Sequence, residues 1–451
     1  MIHCYKLCGY NIVLDVASGC IHRVDDAAFD AILMYENADK TDVFGSIKEK
    51  YPEIADNGIS ELLSDIVTLK AQRKLYSRDT FSYMADNTAD APLKALCLNV
   101  SHNCNMTCGY CFVAGSGSFN TGGLMSFETG KRAIDFLAGC SGKRRNLDID
   151  FFGGEPLLNW RVVKDIVAYA RGLEKDIEKK FRFTLTTNGL LIDDDVINFT
   201  NREMHNVVLS IDGRPETHDA FRRLEAGHGS FNEVVPKIKR LVQARREKGY
   251  YIRGTFTRAN LHFASDILYL ADLGFTELSF EPVVTKPHVP FALTLSDLPV
   301  LLREYELLAQ EMLRRRKAGN GFSFYHFLLD LTGGPCVSKR IAGCGVGREY
   351  LAVTPQGELY PCHQFIGNNE YLMGDVWHGI TNTGLRMEFG KTNIYTHDAC
   401  RGCWARFYCS GGCAANSFNA SDSIGGIYEL GCELFKKRAE CAIMMKVAEE
   451  T

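Results

Sequence analysis

Three cysteines lie within eight residues in the run Cys104-Asn-Met-Thr-Cys108-Gly-Tyr-Cys111. A loop of this length can turn all three thiols toward one point. Structural zinc sites and closed iron–sulfur clusters usually take four protein ligands. The loop contains no fourth ligand, and His102, two residues before Cys104, gives no standard pairing. The spacing therefore predicts a metal centre with one free coordination position, where a small molecule can bind.

A second group of cysteines lies toward the C-terminus and covers a longer stretch. Twelve residues separate its first member from Gly357, four more precede the second, and later spacings are two, five, three and eighteen residues. Four of these thiols could bind a single zinc ion, but three others would then be unexplained. The members are Cys344, Cys362, Cys400, Cys403, Cys409, Cys413 and Cys432.

Composition restricts the class of protein. The 451 residues include 17 cysteines and have a net charge of −4, so no basic surface for nucleic acid is expected. The N-terminus has no apolar stretch typical of a signal peptide, and no segment reaches the roughly 18 apolar residues that span a membrane. We expect a cytoplasmic protein without a membrane partner. In a reducing compartment, clustered cysteines favour metal ligation over disulfides.

Residues 1–90 are predicted to form a small separate unit. Alternating runs at Tyr10–Val16 and Ile21–Val24 flank the turn Ala17-Ser18-Gly19 and predict a hairpin. Three helical patterns follow, and a hairpin with three short helices is typical of a winged-helix-like module. The helices are expected at Asp26–Tyr35, Asp42–Tyr51 and Ile59–Leu75.

Residues 95–310 alternate between strand and helix patterns, which predicts a parallel sheet of six β/α units. Because the carboxyl ends of parallel strands lie at one edge of a sheet, loops that follow successive strands should converge there. Residues 311–335 are expected to form a helical bridge, and residues 336–451 a cysteine-rich domain. The strands are expected at Ala95–Val100, Leu147–Phe152, Phe183–Thr187, Val207–Ile211, Tyr251–Thr257 and Glu277–Val284.

The triplet resembles the C-x3-C-x-aromatic-C signature of the radical S-adenosylmethionine (SAM) superfamily, with Tyr110 at the aromatic position. The resemblance implies a partial (β/α)6 barrel. It also implies a [4Fe–4S] cluster on Cys104, Cys108 and Cys111, whose open iron binds SAM.

The loop after the second strand, Gly153-Gly154-Glu155-Pro156, resembles the superfamily motif that holds the SAM amino group. Glycines permit close backbone approach to a ligand, and Glu155 could compensate an ammonium group. Asn188 and Ser210 are expected at the ribose hydroxyls and Arg253 at the SAM carboxylate. For Ser210 and Arg253, strand packing or a solvated pair remains an alternative.

The C-terminal spacings resemble those of the SPASM domain, which carries two auxiliary [4Fe–4S] clusters. By position, the resemblance implies a distal cluster on Cys400, Cys403, Cys409 and Cys432. A nearer cluster would use the other three thiols, with Cys336 either as fourth ligand or displaced to leave an iron open for a substrate thiol. Those three are Cys344, Cys362 and Cys413.

SPASM enzymes mostly modify peptides or proteins. Sulfatase-maturing members have an aspartate directly after the second SPASM cysteine, whereas this chain has His363. With its N-terminal unit and the segments around Cys336 and His363, the chain resembles the maturases of six-cysteine (SCIFF) peptides. The resemblance implies SAM cleavage, hydrogen abstraction from a threonine, and a thioether to a cysteine of the peptide. Epimerisation and carbon–carbon crosslinking remain alternatives.

The resemblance also implies partners. The N-terminal unit would bind the leader of a cysteine-rich precursor peptide as an added strand, because its hairpin offers a free edge. A flavodoxin or ferredoxin would supply electrons.

Overall fold

The computed structural model describes residues 1–36, 40–87, 91–111, 123–331 and 340–450. The N-terminal unit is an antiparallel sheet in the order β1-β2-β3, followed by three helices. The predicted hairpin and helices are confirmed, and β1 is an additional strand paired along the whole of β2. The elements are β1 (Ile2–Leu7), β2 (Tyr10–Asp15), β3 (Ile21–Val24), α1 (Asp26–Tyr35), α2 (Lys40–Lys50) and α3 (Asp56–Ala71).

The N-terminal sheet is covered on both faces. Val13 of β2 packs with the helices α1 to α3 in a small core of their own. Its neighbours Ile12 and Leu14 point to the opposite face, because side chains alternate along a strand, and they belong to the main core of the protein. The unit is therefore packed against the rest of the chain and is less separate than the sequence predicted.

The central region contains the six parallel strands expected from the sequence. Alternate residues of β5, such as Leu147, Ile149 and Phe151, are fully buried. The elements are β4 (Ala95–Ser101), α4 (Phe127–Cys140), β5 (Asn146–Gly153), α5 (Trp160–Leu173), β6 (Lys180–Thr187), α6 (Asp194–Glu203), β7 (Met204–Ser210), α7 (Pro215–Phe221), α8 (Phe231–Arg245), β8 (Gly249–Phe256), α9 (Phe263–Asp272), β9 (Glu277–Pro282) and α10 (Leu298–Lys317).

Short strands extend this sheet at both edges, which the sequence did not predict. One pairs with β9, and four others continue beyond β4, giving eleven strands within the described residues. Helix α10 runs through the expected boundary at residue 310, and the segment that follows it returns to the sheet, where Ser323 and Phe324 pair with β9. The added strands are β10 (Ser323–Phe324), β11 (Tyr350–Val353), β12 (Glu358–Tyr360), β13 (Gly374–Asp375) and β14 (Gly379–Ile380).

The C-terminal region consists of short helices and one long one that packs on α10. Among the residues described, no helix is both long enough and apolar enough to cross a bilayer. The helices are α11 (Thr383–Lys391), α12 (Asp398–Arg401), α13 (Arg406–Cys409), α14 (Ala414–Ser421) and α15 (Glu429–Glu449).

Candidate active site

The cysteine triplet follows β4 directly, at the carboxyl end of the parallel strands. Every residue of β4 is buried, so the strand fixes where the loop begins. Within the loop, the amide of Cys111 donates to the carbonyl of Cys108 at 3.1 Å. Asn188, from the loop after β6, donates to the sulfur of Cys104 at 3.8 Å and to Asn105 at 2.8 Å. The structure thus brings together the loops that follow β4 and β6. These are two of the four loops, after β4, β5, β6 and β7, that the sequence predicts to converge at this edge and that we call the rim loops.

The glycine pair after β5 packs tightly on the cysteine loop. The amide of Gly154 donates to the Ser101 carbonyl at 2.8 Å. Gly153 has φ of +128°, and a Cβ there would lie 2.2 Å from the Ser101 oxygen. A Cβ on Gly154 would lie 2.3 Å from the Asn103 oxygen. Glycine is therefore required at both positions for contact with the cysteine loop, whereas the sequence suggested close approach to a ligand.

Glu155 connects two loops through a buried carboxylate. Its side chain accepts from the amide of Leu157 at 3.0 Å, from the Thr187 hydroxyl at 2.8 Å and from the amide of Asn188 at 2.8 Å. Burial raises its pKa to about 7, against the opposing effect of these donors. The carboxylate fixes the loops after β5 and β6 relative to each other. These hydrogen bonds are all made to groups of the protein.

Ser210 and Arg253 are neighbours across β7 and β8, paired in register. Arg253 is exposed although its strand lies inside the sheet, so its side chain faces open space near the strand ends. Its charge acts on Glu281 and on His363. A guanidinium in this position can bind an anionic group of a ligand.

Tyr110 links the triplet to the loop after β7. Its hydroxyl donates to Asp212 at 2.5 Å, and the Asp212 carboxylate also accepts from the amide of Thr255 at 2.9 Å. Burial raises the pKa of Tyr110 well above its usual value, so the phenol stays protonated. The four predicted rim loops therefore meet at one place.

The thiols of the triplet lie close enough together for their charges to interact, and their surroundings are largely buried. Burial raises the pKa of Cys104 to about 12 and that of Cys108 to about 11. Thiols of this kind are protonated near neutral pH, and a bound metal deprotonates them. The donor set suits a metal group better than a free nucleophile, which requires a lowered thiol pKa.

The described C-terminal cysteines form two separate sets. In the first, the Cys362 thiol lies within electrostatic range of Cys413 and Cys344. In the second, Cys409 lies within range of Cys432, Cys400 and Cys403. These are the groupings that the resemblance to the SPASM domain implied. Cys336 lies outside the described residues.

In both C-terminal sets, burial is the main cause of the raised thiol pKa values. It raises the pKa of Cys400 to about 11 and that of Cys409 to about 12, and it raises those of Cys362 and Cys413 as well. Across the parts of the chain that the structure describes, no three His, Cys, Asp or Glu side chains are gathered as ligands of a single metal ion.

His363 lies where the central sheet meets the first C-terminal set. Its ring packs on Phe152 with centroids 4.8 Å apart, and the hydroxyl of Tyr350 is 3.5 Å from its Nδ1. Burial lowers the pKa of His363 to about 4. Sequence reasoning missed Tyr350 and Phe152 because neither belongs to a motif. Asp212 did have a signal, since it directly follows a predicted strand.

The comparisons with known proteins agree with this geometry. Residues 98–256 match the family model "Radical SAM superfamily". This range begins within β4 and ends at the last residue of β8, so it contains the triplet and all four rim loops.

Two curated relatives match beyond that range. The "Radical SAM cyclopropyl synthase TigE" of Paramaledivibacter caminithermalis is 22% identical over 375 residues, which cover 76% of this chain and 72% of the relative. A "Cysteine-type anaerobic sulfatase-maturating enzyme" of Clostridium novyi is 24% identical over 368 residues, covering 76% of this chain and 93% of the relative.

A solved structure, native anSMEcpe with bound AdoMet, aligns with a TM-score of 0.64 and 23% identity over 80% of this chain and all of that one. The α/β fold with its large parallel sheet is therefore shared. Residues 98–256 are therefore a radical SAM domain, of the superfamily that binds SAM and a [4Fe–4S] cluster, and the chain is homologous to radical SAM maturases.

Proposed function

We propose that this protein is a peptide maturase that uses SAM and three [4Fe–4S] clusters to form a thioether between a cysteine and an acceptor residue, threonine in the family it resembles. The observation that carries the proposal is the gathering of the cysteines into three distinct sets, one at the carboxyl ends of the parallel strands and two in the C-terminal region.

The first set has residues suited to each part of the cofactor. Cys104, Cys108 and Cys111 would hold the cluster and leave one iron for SAM. The backbone after Gly154, Asn188 and Ser210 would position SAM, and the exposed guanidinium of Arg253 would bind its carboxylate. When bound, the cluster supplies the electron that cleaves SAM reductively and so generates the radical that takes hydrogen from the acceptor.

The two C-terminal sets would hold the auxiliary clusters. The distal set has four thiols, which close a cluster, and the nearer one has three described thiols, with Cys336 as the proposed fourth ligand or a displaced one. Joining a thiol to a carbon removes two hydrogen atoms from the peptide, which together amount to two protons and two electrons. One hydrogen goes to the SAM-derived radical, the thiol proton leaves, and the remaining electron needs an acceptor. The two auxiliary clusters would accept this electron and carry it away.

The N-terminal unit supports a peptide substrate. The outer edge of β1 lies beside α15, where Tyr5 donates to the Glu440 carbonyl at 3.0 Å. Strand β3 pairs with β2 on one side, and no other described strand pairs with it. A leader peptide could pair with its other edge as a fourth strand. We assign leader recognition to β3.

His363 favours thioether formation over sulfatase-type maturation. An aspartate at this position could act as a base, whereas a buried imidazole with a pKa of about 4 is neutral and a weak base. The substrate cysteine would then lose its proton by binding a metal, because coordination deprotonates a thiol. Epimerisation and carbon–carbon crosslinking are the second candidates, since the same architecture could serve them.

The test uses a short cysteine-rich peptide encoded next to the gene, produced together with the full-length protein under anaerobic conditions. We expect the peptide to lose two hydrogens and one alkylatable cysteine. A variant with Cys104, Cys108 and Cys111 all replaced by Ala should leave it unchanged. Epimerised product of unchanged mass, or two lost hydrogens with every cysteine still alkylated, would contradict thioether formation and support the second candidates.

A further inference from the structure

The cysteine loop is backed by a segment from elsewhere in the domain. The amide of Gly109 donates to the carbonyl of Phe221 at 3.0 Å, and Met106 forms an antiparallel bridge with Leu224. The ring of Phe221 packs on Tyr110 with centroids 5.4 Å apart. The segment that ends α7 therefore forms a wall behind the triplet.

Arg222 in this wall points its guanidinium into the site. Its side chain is 12% exposed, and its Nε lies 3.0 Å from Oδ2 of Asp212, which is 1% exposed. The guanidinium also lies over the Tyr110 ring, 5.6 Å from the centroid, and its charge acts on the thiol of Cys108. Asp212 and Tyr110 therefore fix the position of this largely buried charge.

Asp212 is equally constrained. Beyond Arg222, it accepts hydrogen bonds from the hydroxyl of Tyr110 and the amide of Thr255. The two side chains thus form a fixed pair of opposite charges beside the cysteine loop. Such a pair needs no reorganisation when a nearby group gains an electron.

A charge beside the cysteine loop has a direct effect on an iron–sulfur cluster. Reduction potentials of such clusters depend on net charge, on hydrogen bonds to the sulfurs and on solvent exposure. Each added electron makes the group more negative, and a guanidinium in a low-dielectric setting favours that form more strongly than it would in water. The carboxylate partner opposes the effect.

We propose that Arg222, held beside the cysteine loop by Asp212 and Tyr110, raises the reduction potential of the cluster on the triplet through its charge, and that Asp212 limits this effect as its counter-charge. The inference rests on the proposed assignment of the triplet as cluster ligands. Arg222 is a positioning and tuning residue, because it acts through its charge on the cluster.

The test is a reductive titration of the full-length, iron-loaded protein with dithionite and mediators. The EPR signal that changes when SAM is added identifies the cluster on the triplet. Arg222→Gln should make its midpoint potential more negative by about 59 mV, which corresponds to a tenfold change in the one-electron equilibrium. Asp212→Asn should shift it in the opposite direction, and the double variant should return close to the wild type.

Two further variants complete the design. Arg223→Gln removes a charge from the adjacent, exposed side chain and should leave the potential unchanged. Arg222→Lys retains the charge, so its midpoint potential should lie between those of the wild type and Arg222→Gln. This variant keeps the test decisive if Arg222→Gln does not retain iron.

Shifts of the same sign in Arg222→Gln and Asp212→Asn, or no shift in either with the cluster present, would overturn the inference and indicate a structural role. If the wild type itself shows no SAM-sensitive cluster, the proposed function fails, so the two failures are distinguishable.

Discussion

The two cysteine regions of this molecule are built in opposite ways. The triplet occupies one short loop, which the carbonyls of Ser101 and Asn103 anchor to the glycine-rich turn. The C-terminal thiols come from distant segments, and two of the helices that carry them, α12 and α13, have only four residues each. Helices this short are not stable by themselves. The parallel sheet therefore shapes its cysteine loop through protein contacts, whereas under the proposed function a cluster would join the segments of the C-terminal region.

The largest expected effect comes from removing the triplet. With Cys104, Cys108 and Cys111 replaced by Ala, SAM cleavage to 5′-deoxyadenosine should fall to background, because no other set leaves an iron for SAM. About four of about twelve irons should be lost. The melting temperature should change less than in the next variant. A larger decrease in melting temperature here than in the next variant would contradict the comparison of the two regions.

The second prediction concerns the distal C-terminal set. The double variant Cys400→Ala and Cys403→Ala should also lose about four irons. Because metal binding contributes directly to folding in such regions, we expect unfolding to become easier by about 2–5 kcal/mol, similar to the loss of a disulfide. SAM cleavage without modification of the peptide should persist. Unchanged thermal unfolding would show that these segments hold together without the cluster.

The third prediction concerns how the N-terminal unit docks on the C-terminal region. Asp79 lies 2.9 Å from Nη2 of Arg406, whose side chain is 6% exposed, and accepts from the Tyr395 hydroxyl at 3.0 Å. Asp79→Asn leaves a buried guanidinium without its counter-charge, at a cost of about 2 kcal/mol.

Asp398→Asn is the matched control, because it removes a carboxylate from an exposed pair with Arg401, worth about 0.5 kcal/mol or less. Thermal unfolding of both variants provides the measurement. Equal effects would mean that the buried pair does not secure the docking.

The smallest expected effect is a pH dependence in the wall behind the triplet. His218 is fully buried, lies 3.3 Å from the amide of Asp212 and 2.9 Å from the Ser230 hydroxyl, and burial lowers its pKa to about 3. Its unfolded pKa is about 6.5, so the stability it contributes is complete above pH 6.5 and declines as the pH falls toward 3. The slope approaches about 1.4 kcal/mol per pH unit.

Denaturant unfolding at pH 7 and pH 5.5 tests this dependence. His218→Gln should lose less stability between the two values than the wild type, and His228→Gln, which alters an exposed histidine, should behave like the wild type. The same pH slope in all three proteins would exclude His218 as its source.

The sequence predicted those elements of the fold whose apolar residues repeat with a regular period. The six parallel strands were located to within about three residues, since their apolar positions repeat regularly. Strands β10 and β12 to β14 have two or three residues each, too few for any period, and they form only through pairing with neighbours. Strand β1 was missed for a related reason, because the run IHCYKL alternates weakly and its pairing with β2 defines it.

The same distinction applies to the site. Asn188 and Asp212 directly follow strands, so chain order predicts where they meet. Arg222 and Tyr350 belong to no motif and reach the cysteines only through tertiary structure. The role of Gly154 was also outside the reach of sequence, because the atom it must avoid, the Asn103 oxygen, comes from a loop far away in the chain.

The most direct test of the account is metal and sulfide analysis of the wild-type protein after anaerobic reconstitution. Three [4Fe–4S] clusters predict about twelve irons and as many sulfides per chain, with no stoichiometric zinc. Zinc without iron, or about four irons confined to the triplet, would contradict the assignment of the C-terminal cysteines to auxiliary clusters.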